Sequence, residues 1–336
     1  MRGVYARILT AVTAMIRAVR RHIELDTPAG RRAAPVYSLR SEADRALIAR
    51  ELAAGRSAAF YIGLFTIVKL LRPPWAEGTG GELFWQVKPA RPRWSKLPMV
   101  VEPRHAIRFV DFARVHPALR HLQRREEWER LWAHRLPLHV ISPLRQPLRF
   151  LHEAFRTTPG DLRGHAAAAP TAADRLIEAE TASFFWLHDP DWNALARRVA
   201  LSAPARSYLA GTSFNKHGQH PPYTLDELQE HVRDRGDLEF DLVVHDELIE
   251  QAGLHSSHTM VRLPLAGQEP ELLMTRLGSV SAARLEQELG LPVRVLDSVA
   301  EASRQPGLTQ ADVESRIAVL HDLREAAAAA ARRRPA

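Results

Sequence analysis

From about residue 181 to residue 300 the sequence switches repeatedly between two periods, and this alternation restricts the possible folds more than any other feature. Short β-branched or aromatic runs lie near Ala182–Leu187, Arg206–Leu209, Phe240–Val244, Thr259–Leu263, Glu271–Thr275 and Val293–Leu296. Between them stand segments with helix signals. Asp189 and Pro190 open one that carries Trp192, Leu195, Ala196 and Val199. Thr224 with Glu227 makes a capping box for a helix to about Arg235. Ser281 opens another whose apolar face is Ala283, Leu285 and Leu289, with Gly290 as its stop. Strands interleaved with amphipathic helices and no internal repeat point to an α/β domain.

The upstream half is less regular. Residues 1–25 set apolar residues against Arg2, Arg7, Arg17, Arg20 and Arg21, which reads as a basic amphipathic helix; no A-x-A site follows, so signal cleavage is not expected. Residues 26–40, with Pro28, Gly30 and Pro35, read as a linker. Ser41 then caps a helix with Ala43, Leu47, Ile48 and Leu52 on one face and Gly55 as its stop. Ser57–Leu71 reads as a buried strand running into a turn or helix, and Leu97–Val101 as a strand. Residues 116–133 read as helical, 146–156 as a short helix, 157–172 as a loop, and 172–180 as helical. Gly211–Pro222 reads as a polar turn, and Thr309 caps a last helix through Leu323 ahead of a frayed Ala/Arg tail.

Composition narrows the chemistry. The 336 residues contain no cysteine, which excludes thiol nucleophiles, disulfides and Cys-ligated metals. Hydrophobic residues make up 46% and charged residues 25%, the balance of a globular chain without a transmembrane segment, with cytoplasm as the expected compartment. The formal charge of +7 suits phosphates, nucleic acid or an acidic membrane surface. Only Lys69, Lys88, Lys96 and Lys216 among 46 basic residues are lysines, so arginine bias discounts the charge as a nucleic-acid footprint. The spacings His217–His220 and His255–His258 raise a metal reading, but no H-E-x-x-H is present, and no metal held by protein side chains is expected. No G-x-S-x-G elbow supports a serine hydrolase.

One polar stretch is more specific. Ala210-Gly211-Thr212-Ser213-Phe214-Asn215-Lys216-His217-Gly218 ends a short strand ahead of the helix capped by Thr224. It resembles the T-S-x-N-x-x-G signature of the YrdC-like family, the threonylcarbamoyl-AMP synthases. In the same order, Asp241–Asp246 resembles the family's next strand, Ser257-His258-Thr259-Met260-Val261 its S-T-hydrophobic strand, and Arg276-Leu277-Gly278 its R-x-G turn. Upstream, Lys88-Pro89-Ala90-Arg91-Pro92 with Lys96–Val101 resembles the K-x-R-P segment and its proline-led strand. The resemblance covers roughly residues 41–290. It departs from the family pattern where Lys88 and Arg91 stand three apart instead of two. Tyr61-Ile62-Gly63-Leu64 replaces P-T-x-T, His188 stands in the place of the R-x-P arginine, and His139 ends the segment matching P-G-P-x-T.

The resemblance implies a YrdC-like twisted mixed sheet with flanking helices and a basic concave cavity, over residues 41–300. A basic helical extension and linker (1–40) would precede it, and a C-terminal helix with an Arg/Ala tail (301–336) would follow. It also implies a nucleotidyltransferase that uses ATP with Mg2+, bicarbonate and an amino acid to make threonylcarbamoyl-adenylate, or a related carbamoyl-adenylate, for tRNA modification. Lys88 and Arg91 would be catalytic, and Lys96, Ser213, Asn215, Thr259 and Arg276 nucleotide-binding, with His188 on the substrate side. ATP or AMP is the implied ligand, with double-stranded RNA or tRNA-modification machinery as further partners. The alternative is a non-catalytic YrdC-like module that binds nucleotide or double-stranded RNA.

Overall fold

Amide groups at a helix start have no partner within the helix and must find acceptors; in this chain short polar side chains supply them. The computed structural model describes residues 22–27, 30–71, 83–84, 87–88, 98–133, 138–145, 181–186, 189–203, 208–215, 220–300 and 305–332. Within them lie α1 (Glu42–Ala53), α2 (Pro103–Ala106), α3 (Arg125–Ala133), α4 (Pro190–Ser202), α5 (Leu225–Arg235), α6 (Glu247–Ala252), α7 (Ala282–Leu289) and α8 (Gln310–Arg332). Ser41 Oγ accepts from Asp44 N at 3.2 Å and starts α1. Asp189 accepts from the amides of Asp191 and Trp192, both at 3.0 Å, and starts α4. Thr224 accepts from Glu227 N at 3.1 Å, while the Glu227 carboxylate takes the Tyr223 amide at 2.6 Å, one residue before the expected capping-box partner. Ser281 starts α7 and Gly290 ends it.

The strands are β1 (His22–Thr27), β2 (Gly30–Ser38), β3 (Ser57–Tyr61), β4 (Phe65–Leu71), β5 (Met99–Val100), β6 (Leu138–Pro143), β7 (Thr181–Trp186), β8 (Tyr208–Ser213), β9 (Leu242–His245), β10 (Thr259–Arg262), β11 (Leu272–Arg276) and β12 (Val293–Ala300). Among the described residues they form one mixed, twisted 12-stranded sheet in the order β1-β2-β9-β3-β4-β8-β5-β7-β6-β10-β11-β12. The pairs β2–β9, β9–β3, β5–β7, β6–β10 and β11–β12 are parallel and the other neighbours antiparallel. The fold is therefore α/β, with a mixed sheet and flanking helices.

Both faces of the sheet centre are covered, and β3 shows how. Ala58 and Phe60 point into a core with Trp192, Leu195, Phe184, Trp128 and Ile48, whereas Ala59 and Tyr61 point into a second core with Phe65, Phe214, Leu228, Val313 and Leu320. Phe60 meets the Trp192 ring edge-on at 5.3 Å. Because every residue of β3 is buried, the segment reads as an unbroken apolar run rather than an alternating one.

The sheet curls so that strands six steps apart in its order meet: His258, the residue before β10, has its Nε2 3.0 Å from Ile62 O in the β3–β4 turn.

Several segments differ from the sequence reading. Residues 22–25, expected to be helical, belong to β1, and residues 30–38 of the expected linker form β2, paired in register from His22–Pro35 to Thr27–Gly30. The period-2 burial of Ile23 and Leu25 was masked by the surrounding arginines and by Pro28, Gly30 and Pro35. Ser57–Leu71 is a hairpin of two strands, with Tyr61 opposite Phe65. β8 runs on to Ser213, where a polar turn was expected, because Thr212 and Ser213 pair with Ile67 and Thr66. α6 was not foreseen, since its cap, Asp246, was read with the preceding strand. α8 continues through the alanines to Arg332, where fraying was expected. The basic helix over 1–21, the helices at 146–156 and 172–180, and the loop at 157–172 lie outside the described residues. No helix among the described residues is long and apolar enough to cross a membrane.

Candidate functional site

The turn Tyr61-Ile62-Gly63-Leu64 is where the motif segments meet. Gly63 has φ +99, and a Cβ there would stand 2.9 Å from Ser256 O and 3.0 Å from Leu254 O, so only glycine lets the 254–256 backbone lie against the turn. On one side of the turn, Phe65 N donates to Pro222 O at 3.0 Å and Phe214 N to Phe65 O at 2.9 Å, which fixes the end of β8 and the residues after it. On the other side lies the start of β10.

The β8 side carries the clearest polar pair. Lys88 Nζ donates to Ser213 Oγ at 2.7 Å, and both residues are only half-buried. Ser213 sits opposite Thr66 in the β4–β8 ladder, so its position is set by backbone pairing. Asn215, two residues on, is buried. An ammonium and a hydroxyl held together at a strand end are the donors a phosphate oxygen accepts from.

The β10 side is built differently. The Thr259 hydroxyl donates to Val280 O at 2.7 Å and accepts from Val280 N at 2.9 Å and Gly278 N at 3.2 Å. Thr259 is fully buried, and its hydroxyl shapes the turn after β11. Gly278 allows that close approach, because a Cβ there would lie 2.2 Å from His258 C. Arg276 donates through Nε and Nη2 to His258 O at 3.2 and 3.0 Å, and burial pulls its pKa down to about 10. Thr259 and Arg276 thus come together at the start of β10, where Arg276 holds His258 O.

Around the turn the sheet places a set of buried imidazoles. His258 stacks on Phe185 at 4.8 Å and meets His139 at 5.5 Å. Its Nε2 hydrogen points to Ile62 O, which leaves a bare Nδ1 without a hydrogen-bond partner. Burial, with the Arg276 charge nearby, pulls His258 down to about 3 and His139 well below the usual imidazole range. On the opposite face Tyr61 stacks on His245 at 5.4 Å, and its hydroxyl is 2.9 Å from His255 Nδ1. Burial lowers His245 to about 4 against the raising effect of Asp246. These rings are neutral near pH 7. His255 and His258 face Tyr61 and Ile62, and among the described residues no three His, Asp or Glu side chains gather as metal ligands.

Arg91, Lys96, His188 and His217 lie outside the described residues. A pocket of about 470 Å³ between α1 and α4 is lined by residues that include Ala49, Arg50, Arg198 and Leu201, none of them in the expected set.

Sequence reasoning missed a buried ion network beside this site. Arg40 Nη1 lies 3.0 Å from both Asp189 and Asp191, and the same guanidinium pairs with Asp246. Arg324 Nε is 2.7 Å from Asp189 and Arg45 Nη1 is 2.8 Å from Asp191. The only sequence signal was Asp189, read as a helix cap.

No protein-family model matches the chain, and no curated protein matches it. Among solved structures, a doubly substituted Sua5 of P. abyssi is 14% identical with a TM-score of 0.49, covering 78% of this chain and 62% of that chain. P. abyssi Sua5 complexed with L-threonine is 13% identical with a TM-score of 0.48, covering 77% and 62%. YciO of E. coli is 10% identical with a TM-score of 0.46, covering 75% of this chain and 99% of its own. The chain thus spans about three fifths of the length of the two Sua5 structures it is similar to.

Proposed function

We propose that the chain is a YrdC-like nucleotide-binding protein that takes ATP and joins it to a carbamate, making threonylcarbamoyl-adenylate or a related carbamoyl-adenylate for tRNA modification. The observation that carries this reading is the 2.7 Å bond from Lys88 Nζ to Ser213 Oγ. It joins, across 125 positions, the two segments that resemble the family's K-x-R-P and T-S-x-N motifs. In the reaction an amino acid and bicarbonate give a carbamate, whose carboxylate oxygen attacks the α-phosphate of ATP, and pyrophosphate leaves. Lys88, with Arg91 and Lys96 from the same segment, would neutralise charge on the phosphates, and Ser213 and Asn215 would hold phosphate or ribose oxygens. Lysine and serine suit those anions. Magnesium, in this reading, is carried by the triphosphate rather than by a set of protein ligands.

Threonine is expected to be a poor substrate. The turn Tyr61–Leu64 offers no threonine hydroxyl at the positions resembling P-T-x-T, which leaves a substrate hydroxyl without a partner. ATP-dependent pyrophosphate release, measured with bicarbonate and each amino acid in turn, tests the reaction. Lys88→Ala should lower release by about ten- to a hundredfold, the worth of one charged hydrogen bond. Threonine turnover well above that of the other amino acids would contradict the specificity. ATP binding without release for any amino acid would favour the non-catalytic alternative.

A further inference from the structure

The C-terminal segment 305–324 lies beyond the stretch that resembles the family, yet it bonds to four segments around the candidate site. Gln305 N donates to His255 O at 3.1 Å, and the Arg316 guanidinium donates to Gly253 O. Gln310 Nε2 donates to Ser279 O at 3.2 Å, and Glu314 Oε1 accepts from Ser281 N at 2.8 Å. Arg324 pairs with Asp189 at 2.7 Å and with Asp246 at 3.7 Å, the caps that start α4 and α6. Apolar anchors hold the helix in place: Val313, Leu320 and Leu323 are buried in the core that contains Tyr61 and Phe65.

Two of these contacts matter most. The 253–255 backbone carries His255 against Tyr61, and the 279–281 backbone follows the Arg276–Gly278 turn locked by Thr259. Neither segment is held by strand pairing where α8 meets it, so side-chain contacts and local turn bonds fix both. We propose that Gln310, Glu314 and Arg316 of α8 are positioning residues: they fix the 276–281 turn and the 253–259 loop against the Tyr61–Leu64 turn and so set the Arg276 side of the nucleotide site. The ordering of the two loops stands on the contacts alone; its effect on ligand rests on the nucleotide reading above.

Hydrogen exchange on the full chain tests it, read at the Gly278 and Val280 amides, which keep their Thr259 acceptor in every variant. Gln310→Ala with Glu314→Ala should raise exchange at both amides by about ten- to a hundredfold, the effect of losing two hydrogen bonds of ordinary strength. Amides of β3 and β6 that exchange through global unfolding should rise by no more than the same factor, with a matching fall in the urea midpoint, because the lost bonds weaken the native state equally against both open states. Glu314→Gln, which keeps an oxygen for Ser281 N, should behave as wild type. Arg316→Ala should raise exchange over 254–259 in the same way. Wild-type exchange at Gly278 and Val280 in the double variant, wild-type exchange over 254–259 in Arg316→Ala, or a rise in Glu314→Gln as large as the double variant's, overturns the proposal. With ATP as probe, the double variant should bind several-fold more weakly and Glu314→Gln should not. Failure of the wild type to bind ATP sinks the nucleotide reading, and the exchange data still decide the positioning role.

Discussion

Lowering the pH from 7 to 5 should destabilise the fold by several kcal/mol. His139, His245 and His258 are buried and neutral, with folded pKa values pulled down, to about 4 for His245 and about 3 for His258. In the unfolded chain they titrate near 6.5, so below that pH the unfolded state binds more protons and stability falls as pH falls. Each contributes a loss of about 2 kcal/mol over this interval, and the three together about 5–6 kcal/mol. Glu247 acts in the opposite sense. Burial raises it to about 7 in the folded state, so as pH drops from 7 to 5 the folded state takes up its proton first. That offsets about 2 kcal/mol. The net loss is a large part of a typical stability of about 5–15 kcal/mol. Urea unfolding at pH 7, 6 and 5 measures it, and His139→Phe should flatten the pH dependence by about one histidine's share. Equal stability at pH 7 and pH 5 would contradict neutral burial of these rings.

Replacing Arg40 by methionine should cost about 3–5 kcal/mol, the range for removing one partner from a buried ion pair. Arg40, Arg45 and Arg324 face Asp189, Asp191 and Asp246, so the network is charge-balanced. Asp189 and Asp246 are almost fully buried, and each also accepts two amides at the start of its helix. Arg40→Met would leave both with Arg324 alone, at 2.7 and 3.7 Å. Arg324→Met should cost less, because Arg40 still reaches both aspartates. Chemical denaturation of the two variants gives the comparison. A loss below about 1 kcal/mol for Arg40→Met would mean that the network adjusts as a surface pair does.

The parts of the fold legible in the sequence were those fixed by local chemistry. Ser41, Asp189, Thr224 and Ser281 each bond amides two to three residues ahead, and each was readable because a cap and its partners lie within one turn. What was not legible depends on distant pairing. Residues 36–38 extend the β1–β2 hairpin into the main sheet because β9, two hundred residues later, lies alongside them. Gly211–Ser213 is a strand because β4 holds it, although glycine, threonine and serine locally favour a turn. The site shows the same division. Lys88 and Ser213 were singled out by motif and lie in contact. Thr259 was also singled out by motif, but its hydroxyl is engaged by Gly278 and Val280, contacts that arise only once β10 and β11 are packed. The imidazole cluster and the Arg40 network join residues from many segments, and no spacing in the sequence encodes them.

Calorimetric titration with ATP and magnesium tests the proposed nucleotide site at Lys88, Ser213 and Asn215. Wild type should bind saturably at one site. Lys88→Ala and Asn215→Ala should each weaken binding by about ten- to a hundredfold, equivalent to about 1.5–3 kcal/mol for a charged hydrogen bond, with folding intact by circular dichroism. Wild-type affinity in both variants, or no binding by the wild type, would contradict it.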